Sequence, residues 1–466
     1  MPPAPAARTL LVRDADLIAT LDEGGRELAG ASILVRGGRI EAVGPAASLP
    51  RDADEVIDAR GHLVVPGLVN TLHHMYQSLT RAVRPVQDAE LFSWLRGLYP
   101  IWARLTPEMV RVSTQVAMAE LLLSGCTTTS DHLYLFPNGV RIDDSIEAAA
   151  LAGMRFTATR GAMSVGESQG GLPPDALVEV EPAILADAER LVRRWHDPAP
   201  GAMVQIAIAP CSPFSVSRDL MLESARLARA LGVRLHTHLA ENDHDVAYSR
   251  ERFGRTPAEY AEELGWVGPD VWHAHCVKLD AEGIARFAAT GTGVSHCPSS
   301  NMRLASGIAP VVAMRQAGVP VGLGVDGSAS NDAAHLVAEA RMALLLQRVG
   351  ISLAPFGCDR GPAAMTARDA LALATRGGAE VLGRRDIGRL APGMCADLAL
   401  FDLRALPFAG GAIHDPVGAL LLCAPASAAW TIVDGKVRVR RGRLEAFELE
   451  PVLARHDALA RRLVSG

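Results

Sequence analysis

Near the start of the chain, apolar and polar residues alternate with period two. "RTLLVRDADLIATL", "ASILVRGGRIEAVG" and "EVIDARGHLVVPG" therefore read as short strands. Gly37-Gly38, between two such runs, marks a tight hairpin. The texture returns near the C-terminus in "ADLALFDL" and "WTIVDGKVRVRRGRLEA", with Asp434-Gly435 as a turn. Two β-rich pieces at opposite ends predict either one small sheet domain built from both termini or two independent arms.

The middle of the chain has a different rhythm. Helix-period segments such as "PEMVRVSTQVAMAELLLSG" and "SRDLMLESARLARALG" alternate with short strand-like runs. Those runs are "HLVVPGLVNTLHH", "CTTTSDHLY", "FTATRGAMS", "VQIAIAPCS", "VRLHTHLAE", "VWHAHCVKL", "TGVSHCPSS" and "VPVGLGVDG". Repeated β-then-α units predict a parallel sheet, and this number of them predicts a closed (β/α)8 TIM barrel. A doubly wound open sheet is the rival, but no glycine-rich phosphate loop follows the first strand to support it.

With 466 residues, 49% of them apolar and 21% charged, the chain has room for a large core and for two structural units. A formal net charge of -6 gives no basic footprint, so nucleic acid is not an expected partner. Seven scattered cysteines without a CxxC pair predict reduced thiols and a cytoplasmic setting. "MPPAPAARTLLVRDADLIATLD" does not read as a signal peptide, and no apolar run is long enough to span a bilayer.

Most of the middle strands end in groups that bind metals or move protons. These are His73 and His74, Asp131 and His132, Cys211, His236 and His238, His273 and His275, His296, and Asp326. The C-terminal strand ends of a barrel form its active face, so these groups are expected to converge at one mouth. In "HTHLAEN", His236 and His238 share a strand face and Glu241 follows just beyond. Glu241 there is placed to take a proton from activated water and return it to a leaving group. A helix N-terminal charge is its plainer reading. Asp326, in "GVDGSASND", needs a cation or donors if buried, while a simple turn would explain the motif equally well. Gly324 and Gly327 flank it and allow close backbone approach.

Together, "PGLVNTLHHM", "HTHLAE", "HAHC", "SHCPSSN", "GVDGSASN" and the late "APGMCADLALFDL" resemble the amidohydrolase superfamily in order and spacing over almost the whole chain. The resemblance implies a small β-sandwich from both termini (residues 1–64 and 391–466) around a metal-dependent hydrolase barrel at 65–390. It is strongest to the cytosine deaminase, guanine deaminase and chlorohydrolase branch, which hydrolyses substituents on nitrogen heterocycles. That branch uses one divalent metal, zinc first and iron as the alternative. The metal is held by a first-strand His-x-His, a fifth-strand histidine and an eighth-strand aspartate. The matching positions here are Leu72, His74, His238 and Asp326.

The resemblance further implies that Glu241 is the proton shuttle and that His275 orients water or polarises the substrate. Asp326 would also hold the water and accept its proton. The reaction would be hydrolytic loss of ammonia from a ring C–NH2 carbon, with a small heterocycle and water as partners. Homo-oligomers are common in the family. Within the branch, "HHMYQSLTRAV", "DAELFSWLRGLYPIWARLTPE", "SDHLYLFPNG" and "APCSPFSVS" are similar to the 8-oxoguanine deaminase and hydroxydechloroatrazine ethylaminohydrolase groups. This points to 8-oxoguanine giving urate and ammonia. Gln77 is placed to pair with a purine edge, Trp94 to stack on a flat ring, and Cys211 to face the same region. Trp94 packing its own loop and Cys211 as a small buried apolar residue are the competing readings.

At position 72 the pattern breaks, because leucine donates nothing to a metal. His73 would substitute only through a bulge that costs ladder pairing. His74, His238 and Asp326 would remain as a three-ligand site with reduced occupancy. Three readings stay open: a deaminase with a weakened or rearranged metal site, a metal-poor inactive homologue that only binds a heterocycle, or an altered residue in an otherwise normal enzyme. A triazine N-alkylamino or chloro hydrolase is the alternative activity.

Overall fold

Eight short parallel strands hydrogen-bond in a ring and close into a barrel, so the expected (β/α)8 architecture is the observed one. In chain order the barrel strands are Leu68–Asn70, Cys126–Leu133, Arg155–Ala162, Val204–Pro210, Arg234–Leu239, Val271–His275, Gly293–His296 and Val321–Leu323. Most are buried along their whole length, as parallel strands covered by helices must be. This is why they show no regular alternation of apolar and polar residues. The computed structural model describes residues 7–353 and 361–465. Residues 1–6 of the N-terminal stretch, and Cys358, lie outside the described residues.

The helices between strands carry the local signals their sequences promise. Thr106 and Ser217 cap Pro107–Leu123 and Arg218–Leu231 by accepting from Met109 N and Leu220 N. Thr256 and Glu259 form a capping box on Pro257–Glu263. Among the described residues, no helix is long and apolar enough to cross a membrane. The described cysteines are all free thiols.

The apolar run "HLVVPGLVNTLHH" is three elements. His62–Pro66 pairs antiparallel with Leu398–Asp402, Leu68–Asn70 is the first barrel strand, and His73–His74 pairs in parallel with Asp326–Gly327. Strands from both ends of the chain join one nine-stranded sheet, with His62–Pro66 between Thr9–Ala19 and Leu398–Asp402. The two termini also share one apolar core, in which Val12, Ile18 and Ile33 meet Leu398, Leu400 and Ile432.

The long connection after the first barrel strand holds the turn Met75–Thr80 and the helix Leu91–Trp102. Its aromatics interlock edge-on, with Tyr76 to Trp102 at 5.3 Å and Trp94 to Trp102 at 5.5 Å between ring centres. This cluster roofs one side of the barrel mouth.

Candidate active site

The pairing of His73–His74 with Asp326–Gly327 delivers the first-strand arm to the eighth-strand carboxylate. His74 Nε2 lies 3.3 Å from Asp326 Oδ1 and 3.2 Å from His238 Nε2. The far side of each imidazole is fixed by backbone. His74 Nδ1 donates to the His132 carbonyl at 2.6 Å, and His238 Nδ1 to the Cys211 carbonyl at 2.7 Å. A carbonyl only accepts, so in the neutral form of either ring the lone pair sits on Nε2. Two lone pairs and a carboxylate therefore face one point.

Such an arrangement is repulsive unless a cation lies between the groups. Zinc–nitrogen bonds of about 2.0–2.1 Å in a tetrahedral site put neighbouring donors roughly 3.3 Å apart, which is the spacing found. Enclosure, and the neighbouring His74 and His275, push the His238 imidazole down to about 3, so a proton does not fill that role near neutral pH. His238, His275 and Asp326 form one group of converging donor atoms and His74, His132 and His238 another, each within 4.8 Å. The residues present fit a metal ion.

The acid–base groups flank this point. His275 Nε2 lies 3.5 Å from Glu241 Oε2 and 3.8 Å from Asp326 Oδ2, while His275 Nδ1 donates to Asn301 Oδ1 at 2.9 Å. Burial, reinforced by the Asp326 and Asp245 carboxylates, raises the Glu241 carboxyl well above its usual range. Burial also works to raise Asp326. The contact with His74 and the neighbouring imidazoles of His275 and His238 outweigh that and hold it well below. Two carboxyls shifted in opposite directions thus share one mouth. The backbone here is unusual for non-glycine residues, with φ of 69° at His275, 61° at Asp326 and 52° at Ala240. Left-handed conformations of this kind gather at functional sites, where packing holds them in place.

His74, Gln77, Trp94, Cys211, His238, Glu241, His275 and Asp326 all line one pocket, whereas Leu72, Asp131 and His132 are buried outside its lining. Leu72 is fully buried in an apolar group with Ala274 and Cys297. Its backbone carbonyl accepts from Asp326 N at 3.1 Å. His73 is buried with neither ring nitrogen partnered, and it belongs to neither donor group. Gln77 Oε1 is likewise unpartnered, and a side chain at Gly327 would collide with it. Trp94 donates its indole N–H to the Ala329 carbonyl at 3.1 Å while lining the pocket. The Cys211 thiol is pushed up to about 12 by burial and stays neutral; its carbonyl is what holds His238.

His236, His273 and His296 are buried in the barrel but outside the pocket lining. Tyr134, Phe214 and Ser330 line the pocket and Asn301 fixes His275, and none of these four was anticipated. Tyr134 had a visible signal, since it lies two residues after His132 and so shares its strand face. Asn301 had none, because only the tertiary fold brings helix Pro298–Arg303 to the sixth strand.

Residues 63–440 match the Amidohydrolase family. The chain belongs to that family. It is 50% identical to the 8-oxoguanine deaminase of Pseudomonas aeruginosa over 451 residues, covering 96% of this chain and 98% of that one. It is 39% identical to the hydroxydechloroatrazine ethylaminohydrolase of Pseudomonas sp. strain ADP, covering 96% and 94%. Among solved structures, the atrazine chlorohydrolase of Arthrobacter aurescens complexed with zinc superposes with a TM-score of 0.91 at 34% identity, over 97% of this chain and 100% of that one. These amidohydrolase relatives act on heterocycles, and at least one solved neighbour holds zinc.

Proposed function

We propose that this chain is a metal-dependent hydrolase that removes an amino group from a nitrogen heterocycle, converting 8-oxoguanine and water into urate and ammonia. The observation that carries the metal-dependent reading is the pair of imidazole lone pairs facing one another at 3.2 Å beside Asp326. The substrate rests on the likeness to the Pseudomonas aeruginosa deaminase along nearly the full length of both chains.

His74, His238 and Asp326 would hold one divalent ion, zinc first and iron as the alternative. When bound, the ion supplies Lewis acidity that makes water a competent nucleophile near neutral pH. Asp326, held ionised, accepts a proton from the attacking water. Glu241, held protonated by burial, delivers a proton to the ring nitrogen next to the reacting carbon. The amine takes the proton received by Asp326 and leaves as ammonia as its C–N bond breaks, while the new hydroxyl gives its proton back to Glu241 and becomes the product carbonyl. His275, anchored by Asn301 and set between the two carboxyls, orients the water and the developing oxyanion. Trp94, Tyr134 and Phe214 give the pocket flat apolar walls, and the free Gln77 Oε1 is an acceptor for a ring N–H.

A triazine N-alkylamino or chloro hydrolase is the second reading, favoured by the 39% identity to the ethylaminohydrolase and the 0.91 TM-score to the chlorohydrolase. The two are separated by products. Protein of measured metal content is incubated with 8-oxoguanine, other aminopurines and pterins, and substituted triazines. Urate with matching ammonia supports the first reading, and ethylamine or chloride supports the second. Metal-replete protein that releases none of these overturns both and leaves a heterocycle-binding homologue.

A further inference from the structure

Leu72 turns its side chain into an apolar group with Ala274 and Cys297, so the first barrel strand offers a single imidazole, His74, to the site. A third imidazole comes from elsewhere. His132, at the end of the second barrel strand, is fully buried, and its ring centre lies 5.4 Å from that of His74 and 5.0 Å from that of His238. One ring nitrogen from each of His74, His132 and His238 lies within 4.8 Å of the others. We propose that His132 is a metal-binding side chain of this centre, acting through the ring nitrogen that the Ala209 carbonyl leaves free and making good the donor that Leu72 lacks.

The hydrogen bonding of His132 suits that task. Its Nε2 donates to the Ala209 carbonyl at 2.8 Å, which leaves the lone pair on Nδ1. Nδ1 is buried and has no partner in the protein. A buried imidazole nitrogen without a partner costs free energy that a bound cation would offset. Metal-ligating histidines commonly donate their second ring nitrogen to a backbone carbonyl, and His74, His132 and His238 all do so. Burial of a histidine in this barrel does not by itself produce convergence. His236 also donates to a carbonyl, that of Trp272, yet its ring stacks on the Trp272 indole and joins neither donor group. With Asp326, whose Oδ1 lies 3.3 Å from His74 Nε2, His132 would bring the donors of this centre back to four.

The inference rests on the metal-dependent reading above, and its test separates the two. Metal-free protein is titrated with zinc against a competing chelator, and with cobalt followed by its visible absorption, for the native chain, His132→Ala, His132→Phe, Leu72→His and Leu72→His/His132→Phe. His132→Phe keeps a ring in place without a nitrogen and serves if the alanine variant folds poorly. The native chain should bind about one ion. Both His132 variants should lose at least about tenfold in zinc affinity, the scale on which even outer-shell partners act. Their cobalt spectra should change shape. Leu72→His/His132→Phe should recover the lost affinity. Native affinity and an unchanged cobalt spectrum in His132→Phe would overturn the proposal while leaving a metal-loaded, ammonia-releasing enzyme intact. A native chain that binds no zinc and releases no ammonia would overturn both.

Discussion

At the scale of single residues, the site depends on two carboxyls kept in opposite states. Glu241 is raised by burial and by Asp326 and Asp245, whose Oδ2 accepts from the Glu241 backbone N–H at 3.0 Å. Glu241→Gln keeps the shape but carries no transferable proton. It should lower kcat/KM for deamination by about 10²-fold or more, the usual scale for a general acid–base, while metal content stays at the native value. Metal analysis beside steady-state kinetics checks this, and an equal loss of metal would show that Glu241 acts on the ion instead. Leu72→His tests the neighbouring gap. Replacing a leucine packed on Ala274 and Cys297 should raise zinc retention under chelator by about tenfold or more, at some cost in packing. These positions were legible because each lies within a short motif at a strand end. Asn301 was not, since no spacing along the chain shows that its helix meets the sixth strand, whereas Tyr134 was within reach of the period-two spacing from His132.

At the scale of elements, the strand-ending motifs were readable because barrel geometry sends every strand end to one mouth. What the apolar pattern concealed was the division of residues 62–74 among three sheets. Apolar runs buried on both faces carry no mark of where one pairing ends and another begins. Charge contacts between helices are equally hidden. Asp143, in helix Ile142–Ala152, accepts from Arg190 at 2.7 and 3.1 Å and from Trp195 Nε1 at 3.0 Å, both on helix Glu181–Trp195. Burial works to raise this carboxyl, but Arg190 and Trp195 outweigh it and bring it down to about 2. A folded-state value below the ordinary 3.8 means that the stabilisation is complete above that pH and fades as pH falls towards 2. Asp143→Asn should therefore cost on the order of 1 kcal/mol near neutral pH, allowing for screening of the half-exposed arginines. The difference from the native chain should shrink as pH falls through this range and vanish only below about pH 2. Thermal unfolding of both proteins across that range checks it, and a difference independent of pH would assign the effect to packing.

At the scale of the whole molecule, a buried cation is one of the ties between the terminal sheet and the barrel, beside contacts such as the Thr431 hydroxyl donating to the Leu122 carbonyl at 2.7 Å. Both ends of the chain were legible as β-rich, but sequence texture says nothing about a pairing that links His62–Pro66 to Leu398–Asp402 across the entire barrel. It also does not show what fixes that sheet to the barrel. Arg155 opens the third barrel strand and is fully buried. Its Nε and Nη2 donate to the two Asp397 oxygens at 2.7 and 3.1 Å, and Nη2 also reaches Asp434 at 3.0 Å. Asp397 Oδ1 in turn accepts from Asp434 N at 2.8 Å, so one carboxylate ties the barrel strand to the C-terminal hairpin turn. Removing the cation alone strands a buried carboxylate, which typically costs about 3–5 kcal/mol. Removing both charges leaves only lost hydrogen bonds and altered packing. Arg155→Met should therefore lower the urea midpoint strongly, and Arg155→Met/Asp397→Leu should regain a large part of that loss. Metal content and ammonia release in the absence of urea should stay near native in both variants, because neither residue lines the pocket. If the double variant is less stable than Arg155→Met, Asp397 holds the turn chiefly through the Asp434 backbone, and the ion pair is secondary in joining the two parts of the fold.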